Sequence, residues 1–135
     1  MLILNKHEVA TVLDIDNLVE ALAPAMADLS RGVVSQAPRS AVEIPEHNGI
    51  LAVMPAYLPS YKVLGSKLVN IFPDNHRLGL PSHQAIIAVF DSCTGSPIAV
   101  MDGTFITTAR TAAGSSLATK LLSRVDSTIL GLIGT

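Results

Sequence analysis

Two spacings of apolar residues divide the chain. Residues 16–31 place Leu18, Leu22, Ala25, Met26 and Leu29 at helical intervals, with Asp16 positioned to cap the start and Gly32 to stop the end. The pattern predicts an amphipathic helix. Pro24 falls inside it and removes one backbone donor, at a cost of about 3 kcal/mol if the helix runs through, so a kink or break is expected there. Between residues 40 and 70 the spacing shortens to the β-type runs 41–44, 50–54 and 63–69. His47-Asn48-Gly49 carries an Asn-Gly hairpin signal between the first two, and Pro59-Ser60 interrupts before the third. These runs read as antiparallel neighbours. A second hairpin is expected from 85–90 and 97–101, joined by Asp91-Ser92-Cys93-Thr94-Gly95-Ser96, a loop of turn formers. Residues 104–122 are rich in Ala, Leu and Thr and free of proline, which predicts a long, largely buried helix capped by Thr104 or Thr107.

Read together, these elements predict an α/β chain: an α+β domain over 1–125 with antiparallel hairpins and two main helices. The remaining residues 126–135 form a separate signal. Ser127-Thr128-Ile129-Leu130-Gly131-Leu132-Ile133-Gly134-Thr135 is an apolar run ending in glycine, as the first strand of a dinucleotide-binding Rossmann fold enters its phosphate loop, with Gly134 as the glycine in question. Many buried strands end in glycine, so this signal alone is weak. No internal repeat or low-complexity segment interrupts the chain.

Composition narrows the partners. At 135 residues the chain has the length of one ordinary domain, able to bury a core without staples. Apolar residues make up 49% and charged residues 15%, so some apolar surface is expected to meet a partner chain or further sequence. The formal net charge of -2 and the scattered Lys and Arg argue against nucleic acid. Cys93 is the lone cysteine, and Met1-Leu2-Ile3-Leu4-Asn5-Lys6-His7 has no basic-then-apolar leader, so a reducing cytoplasm is expected. The uncharged run 92–100 is far short of the roughly 20 apolar residues a membrane helix needs.

Three cations stand in apolar or small-residue surroundings: Arg39 after Pro38, Lys67 in the third strand, and Arg110 inside the second helix. Burying a cation without a partner is costly, and a small carboxylate would satisfy an arginine fork and an ammonium together. Pairing with protein carboxylates, or a head group reaching water, would satisfy them equally well. His83, between Ser82 and Gln84, lies in a loop feeding a strand, where polar residues often face a ligand; an ordinary turn with a satisfied histidine is the competing reading. Asp102 before Gly103 reads as turn and cap chemistry ahead of a general base. His7, His47 and His76 lack acidic or thiol company at ligand spacing, so no metal site is expected, and Cys93 has no basic neighbour to activate it.

Five motifs in order, Met54-Pro55-Ala56-Tyr57, Gly65-Ser66-Lys67-Leu68-Val69, Pro81-Ser82-His83-Gln84-Ala85, Ala99-Val100-Met101-Asp102-Gly103-Thr104 and Ala109-Arg110-Thr111-Ala112-Ala113, make the chain resemble the ornithine cyclodeaminase and mu-crystallin family. The resemblance covers nearly the whole chain. It implies a substrate-binding and dimerisation domain followed by a Rossmann domain, a homodimer, and NAD(H) or NADP(H) as cofactor. It further implies that Arg39, Lys67 and Arg110 hold the substrate carboxylate, with Lys67 able to act as an acid. Ser82, His83, Gln84, Arg110, Thr111 and Gly134 would meet the cofactor, and an acidic residue of the family's cyclodeaminases falls beyond Thr135. The Ser82-His83-Gln84 segment leans toward the ketimine reductase, mu-crystallin and alanine dehydrogenase branches. The expected reaction is reduction of a cyclic imino acid such as pyrroline-2-carboxylate or piperideine-2-carboxylate. Ornithine cyclodeaminase or alanine dehydrogenase activity is the alternative, and a non-catalytic binding protein or a bare dimerisation module is the alternative of another class.

Overall fold

The computed structural model describes residues 1–133. Strand β1 (Leu2–Leu4) leads into helix α1 (Lys6–Val12) and helix α2 (Ile15–Ser30); β2 (Ser35–Gln36), β3 (Ser40–Ile44), β4 (Gly49–Leu58), β5 (Val63–Ile71), β6 (His83–Asp91) and β7 (Pro97–Asp102) follow, then helix α3 (Gly103–Leu122). The seven strands form one sheet in the order β1-β7-β6-β5-β4-β2, with β3 also on β4. Pairing is antiparallel throughout except between β1 and β7.

The hairpins form as the apolar runs predict, although the β3–β4 connection is a 3-10 turn at Pro45–His47 closed by Asn48 in the left-handed region. Asparagine tolerates that conformation better than most residues. β4 extends through Pro55 to Leu58, beyond the expected 50–54. Between β6 and β7 the Asp91 carboxylate accepts from the backbone N–H groups of Cys93 and Thr94 and from the Thr94 hydroxyl, which sets the loop and holds the Asp91 carboxyl below its ordinary range.

Several helix expectations need correction. α1 is an additional helix, closed by a capping box in which the Asn5 side chain accepts from the His7 and Glu8 N–H groups and Glu8 accepts from the Asn5 N–H. α2 is capped by Asp14, whose carboxylate accepts from the Asn17 N–H at 2.8 Å, in place of Asp16. It remains one continuous helix through Pro24. α3 is capped by Asp102, as its place before Gly103 suggests, and not by Thr104 or Thr107; its carboxylate accepts from the Phe105 N–H at 3.0 Å. Nor is α3 largely buried: Gly103, Ala109 and Ala113 are its buried residues, and Arg110 is exposed. Its threonine hydroxyls donate to carbonyls one turn back, as Thr107 does to Gly103 and Thr111 to Thr107.

Alternation assigns the sheet faces. Val69, Ala85 and Ala99 are buried on one face, and with Val9 of α1 and Ala109 and Ala113 of α3 they make the core. The helices stack on that side, α1 and α3 against strands and α2 against α3. The opposite face carries Val42, Leu51, Leu68, Ile86 and Val100, with no helix across it among the described residues, and Val42 and Ile86 are exposed. The stretch 127–133 forms no strand; its Ile129, Leu132 and Ile133 have no neighbouring strand to pair with and are exposed. Gly134 lies outside the described residues.

Candidate functional site

Lys67 stands in the middle of β5, directly opposite Met54 on β4 and Ile87 on β6. It shares the helix-covered face with Val69, two residues on, and is half-buried. Arg39 comes just before Ser40, whose partner Val53 is the neighbour of Met54, so β3 delivers it toward the row that holds Lys67. Arg110 arrives from α3, next to the buried Ala109 that seats the helix.

Electrostatics registers the convergence. Burial first, then the Arg110 guanidinium, then the Arg39 guanidinium, hold the Lys67 ammonium below the ordinary lysine range. Arg110 and Arg39 are thus the charged groups that act on Lys67. Among the described residues the ion pairs are Arg31–Asp28, Arg77–Asp74 and Arg124–Asp126, and none takes in Arg39, Lys67 or Arg110. Protein carboxylates therefore do not satisfy the three cations. Arg39 and Arg110 are exposed, so water reaches both guanidiniums, while Lys67 is half-buried.

A cavity of about 620 Å³ opens on the same side, lined by Val69 and His83 from the sheet and by Thr107, Thr108, Thr111 and Ser115 from α3. Its size falls within the range of small-molecule sites, which run from about 300 to 1,000 Å³. Two of the cofactor residues expected from sequence, His83 and Thr111, line it. Ser82 sits beside His83, its hydroxyl 3.2 Å from the imidazole Nδ1. Gln84 goes elsewhere: it pairs with Asn70 on the uncovered face and lines a separate cavity with Asn70 and Asp102. Alternation alone causes that split, since His83 and Gln84 are consecutive on one strand. The contribution of Thr107, Thr108 and Ser115 escaped the sequence reading. The signal was present in the Thr and Ser residues at 104, 107, 108, 111 and 115, which repeat at helical spacing.

Among the described residues no group of three His, Cys, Asp or Glu could hold a metal ion. No helix there is long and apolar enough to cross a membrane.

The fold is an α/β domain with a hydroxyl-lined cavity between sheet and α3, and none of Lys67, Arg39 and Arg110 lines that cavity. The chain belongs to the ornithine cyclodeaminase/mu-crystallin family, whose model matches residues 1–135. It is 42% identical over 120 residues to the ketimine reductase mu-crystallin of Mus musculus, covering 87% of this chain and 38% of that protein. Among solved structures it is similar to the Delta(1)-pyrroline-2-carboxylate reductase of Thermococcus litoralis in complex with NADH and L-proline, with a TM-score of 0.88 at 38% identity over 94% of this chain and 39% of the other. An archaeal alanine dehydrogenase dimer with bound NAD is similar at a TM-score of 0.87 and 34% identity, covering 95% of this chain and 39% of the other. The chain thus spans about two fifths of the length of these relatives.

Proposed function

We propose that the protein is an NAD(P)H-dependent reductase of small imino acids, taking a cyclic imine of the pyrroline-2-carboxylate or piperideine-2-carboxylate type to the L-amino acid. The observation that carries this reading is the grouping of Lys67 with Arg39 and Arg110 without a protein carboxylate. The Thermococcus litoralis reductase with NADH and L-proline supports it, because proline is the product such a reaction would release.

On this reading the substrate carboxylate accepts hydrogen bonds from the Arg39 and Arg110 guanidiniums and from Lys67, which fixes the orientation of the ring. Met54 and Ile87, opposite Lys67 on either side, give that ring apolar neighbours. Lys67 is suited to protonate the imine nitrogen, because burial and then the two guanidiniums loosen its proton. A bound reduced nicotinamide supplies the hydride. The volume of the cavity and its hydroxyl lining fit a nicotinamide ring, and His83 and Thr111 are the residues of this chain that would hold it.

We infer also that the protein works as a homodimer joined through the uncovered sheet face. Val42 and Ile86 expose apolar side chains there, and the archaeal alanine dehydrogenase relative is a dimer.

The test is a substrate panel on the full-length protein, following the absorbance of reduced nicotinamide with pyrroline-2-carboxylate, piperideine-2-carboxylate and pyruvate with ammonia, and of its oxidised form with L-ornithine. Turnover of the cyclic imines at the highest kcat/KM supports the reading. Preference for pyruvate with ammonia, or for ornithine, assigns the protein to a dehydrogenase or cyclodeaminase role instead, and no turnover with any leaves a binding protein.

A further inference from the structure

The first two residues of α3 press on β6 more closely than an ordinary helix–sheet contact. A Cβ at Gly103 would lie 3.0 Å from the Ala85 Cβ, 3.1 Å from the Ala85 carbonyl carbon and 3.1 Å from the Ile87 Cγ1. Those separations are tighter than normal van der Waals contact, so a side chain at 103 requires Ala85, Ile87 or the helix itself to give by a few tenths of an ångström. Glycine is needed here for close approach, not for its backbone angles. One residue on, the Thr104 hydroxyl accepts from the Ala85 N–H at 3.0 Å. β7 ends opposite Ile86, so the Ala85 N–H lies just past the last strand pair, and Thr104 takes up that donor.

The consequence reaches the cations through the register. Ile87, which Gly103 touches, is the direct cross-strand partner of Lys67. Arg110 lies about two turns along the same helix from Gly103. The seat of α3 on Ala85 and Ile87 therefore fixes where Arg110 stands relative to Lys67.

We propose that Gly103 and Thr104 are positioning residues for the anion site, clamping the start of α3 to β6 so that Arg110 and Lys67 reach one carboxylate together. This rests on reading the three cations as a carboxylate site. A methyl group at 103 needs a few tenths of an ångström of room, and a helix that shifts to make it carries Arg110 away from Lys67. Removing the Thr104 hydroxyl frees the same end of the helix and leaves a buried strand donor unpaired.

The experiment measures L-proline binding to the full-length protein by calorimetry, together with the ionisation of Lys67 followed by NMR of lysine 13Cε and assigned with Lys67→Met. Arg39 and Arg110 are the charged groups that act on that lysine. Gly103→Ala is expected to weaken L-proline by about tenfold, as sub-ångström misplacement of a clamp does. It should also move Lys67 back toward the ordinary lysine range as Arg110 withdraws. Thr104→Val should do the same in smaller measure, and Thr104→Ser should restore wild-type behaviour. Wild-type affinity and an unmoved Lys67 in a folded Gly103→Ala, or equal losses in Thr104→Ser and Thr104→Val, would overturn the proposal. If Gly103→Ala does not fold, the Thr104 pair decides alone. Lys67→Met and Arg110→Met separate the two layers: if neither weakens L-proline, the carboxylate reading itself fails, whereas if both do and the clamp variants do not, only the clamp fails.

Discussion

Arg110 on α3 and Lys67 on β5 bring like charge into one region, and after burial the arginine is the strongest influence holding the lysine below its ordinary range. Like charges that act on each other without a carboxylate raise the free energy of the protein that holds them. An entering anion relieves that repulsion, which gives the site affinity before any shape complementarity is counted.

Binding of a carboxylate should therefore depend on pH with a definite sign. The anion prefers protonated Lys67, so affinity is constant below the lowered pKa of the lysine and falls as pH rises through it. Calorimetric titration of L-proline across the alkaline range should show this fall in wild type and a flat, weaker profile in Lys67→Met. A flat wild-type profile would remove Lys67 from the site.

The same shift has a stability counterpart. Folded Lys67 gives up its proton at lower pH than unfolded Lys67, so between the two pKa values the unfolded chain holds more protons and stability rises with pH. Lys67→Met should lose that rise while remaining folded. Urea midpoints at several alkaline pH values provide the comparison, and an unchanged slope in the variant would show that Lys67 has the same pKa folded and unfolded.

Pro24 is exposed within a continuous α2. Replacing it with alanine returns a backbone donor and removes a ring clash, so Pro24→Ala should stabilise the protein by about 1–3 kcal/mol. Thermal denaturation checks this. A lower Tm would mean that the pyrrolidine ring makes packing contacts that outweigh the backbone gain.

Gly65, two residues before Lys67, faces the backbone of β6. A Cβ there would come within 2.9 Å of the Ala88 carbonyl oxygen, which cannot swing aside as a side chain can. Gly65→Ala should cost about 1–3 kcal/mol by overpacking. Equal stability of the variant and wild type in urea would show that β5 and β6 part without strain.

The uncovered face makes a further demand. Ile86→Glu puts a charge into the centre of its apolar surface and should convert a dimer to a monomer, seen by sedimentation. Dimers surviving both Ile86→Glu and Val42→Glu would move the interface elsewhere.

Much of this was legible in the residues. The five apolar runs became strands because apolar periodicity and turn residues agreed at each boundary, and 104–122 became a helix for want of any breaker. The caps were legible in part. Asp102 before Gly103 reads as a cap and is one, although Thr104 and Thr107 were named beside it, while Asp14 caps α2 where Asp16 was expected, because a cap is decided by which side chain the entering backbone aims at the first free N–H groups. α1 was passed over although Asn5 and Glu8 spell a capping box, since seven residues give too little apolar periodicity to notice. Arg39, Lys67 and Arg110 could be named as candidates from their surroundings, but their convergence depends on β3–β4–β5 register and on the seat of α3. The opposite destinations of His83 and Gln84 follow from strand alternation once β6 is known to begin at His83.

On the proposed reading Arg39, Lys67 and Arg110 hold the carboxylate of an imine undergoing reduction. Steady-state kinetics of the full-length protein with pyrroline-2-carboxylate at saturating reduced nicotinamide tests it directly, comparing wild type with Lys67→Met and Arg110→Met. The account predicts turnover by wild type and a fall in kcat/KM on the order of ten- to a hundredfold in each variant, the loss expected for one charge-assisted hydrogen bond. Wild-type kinetics in both variants, or a wild type unable to reduce any cyclic imino acid, would contradict it.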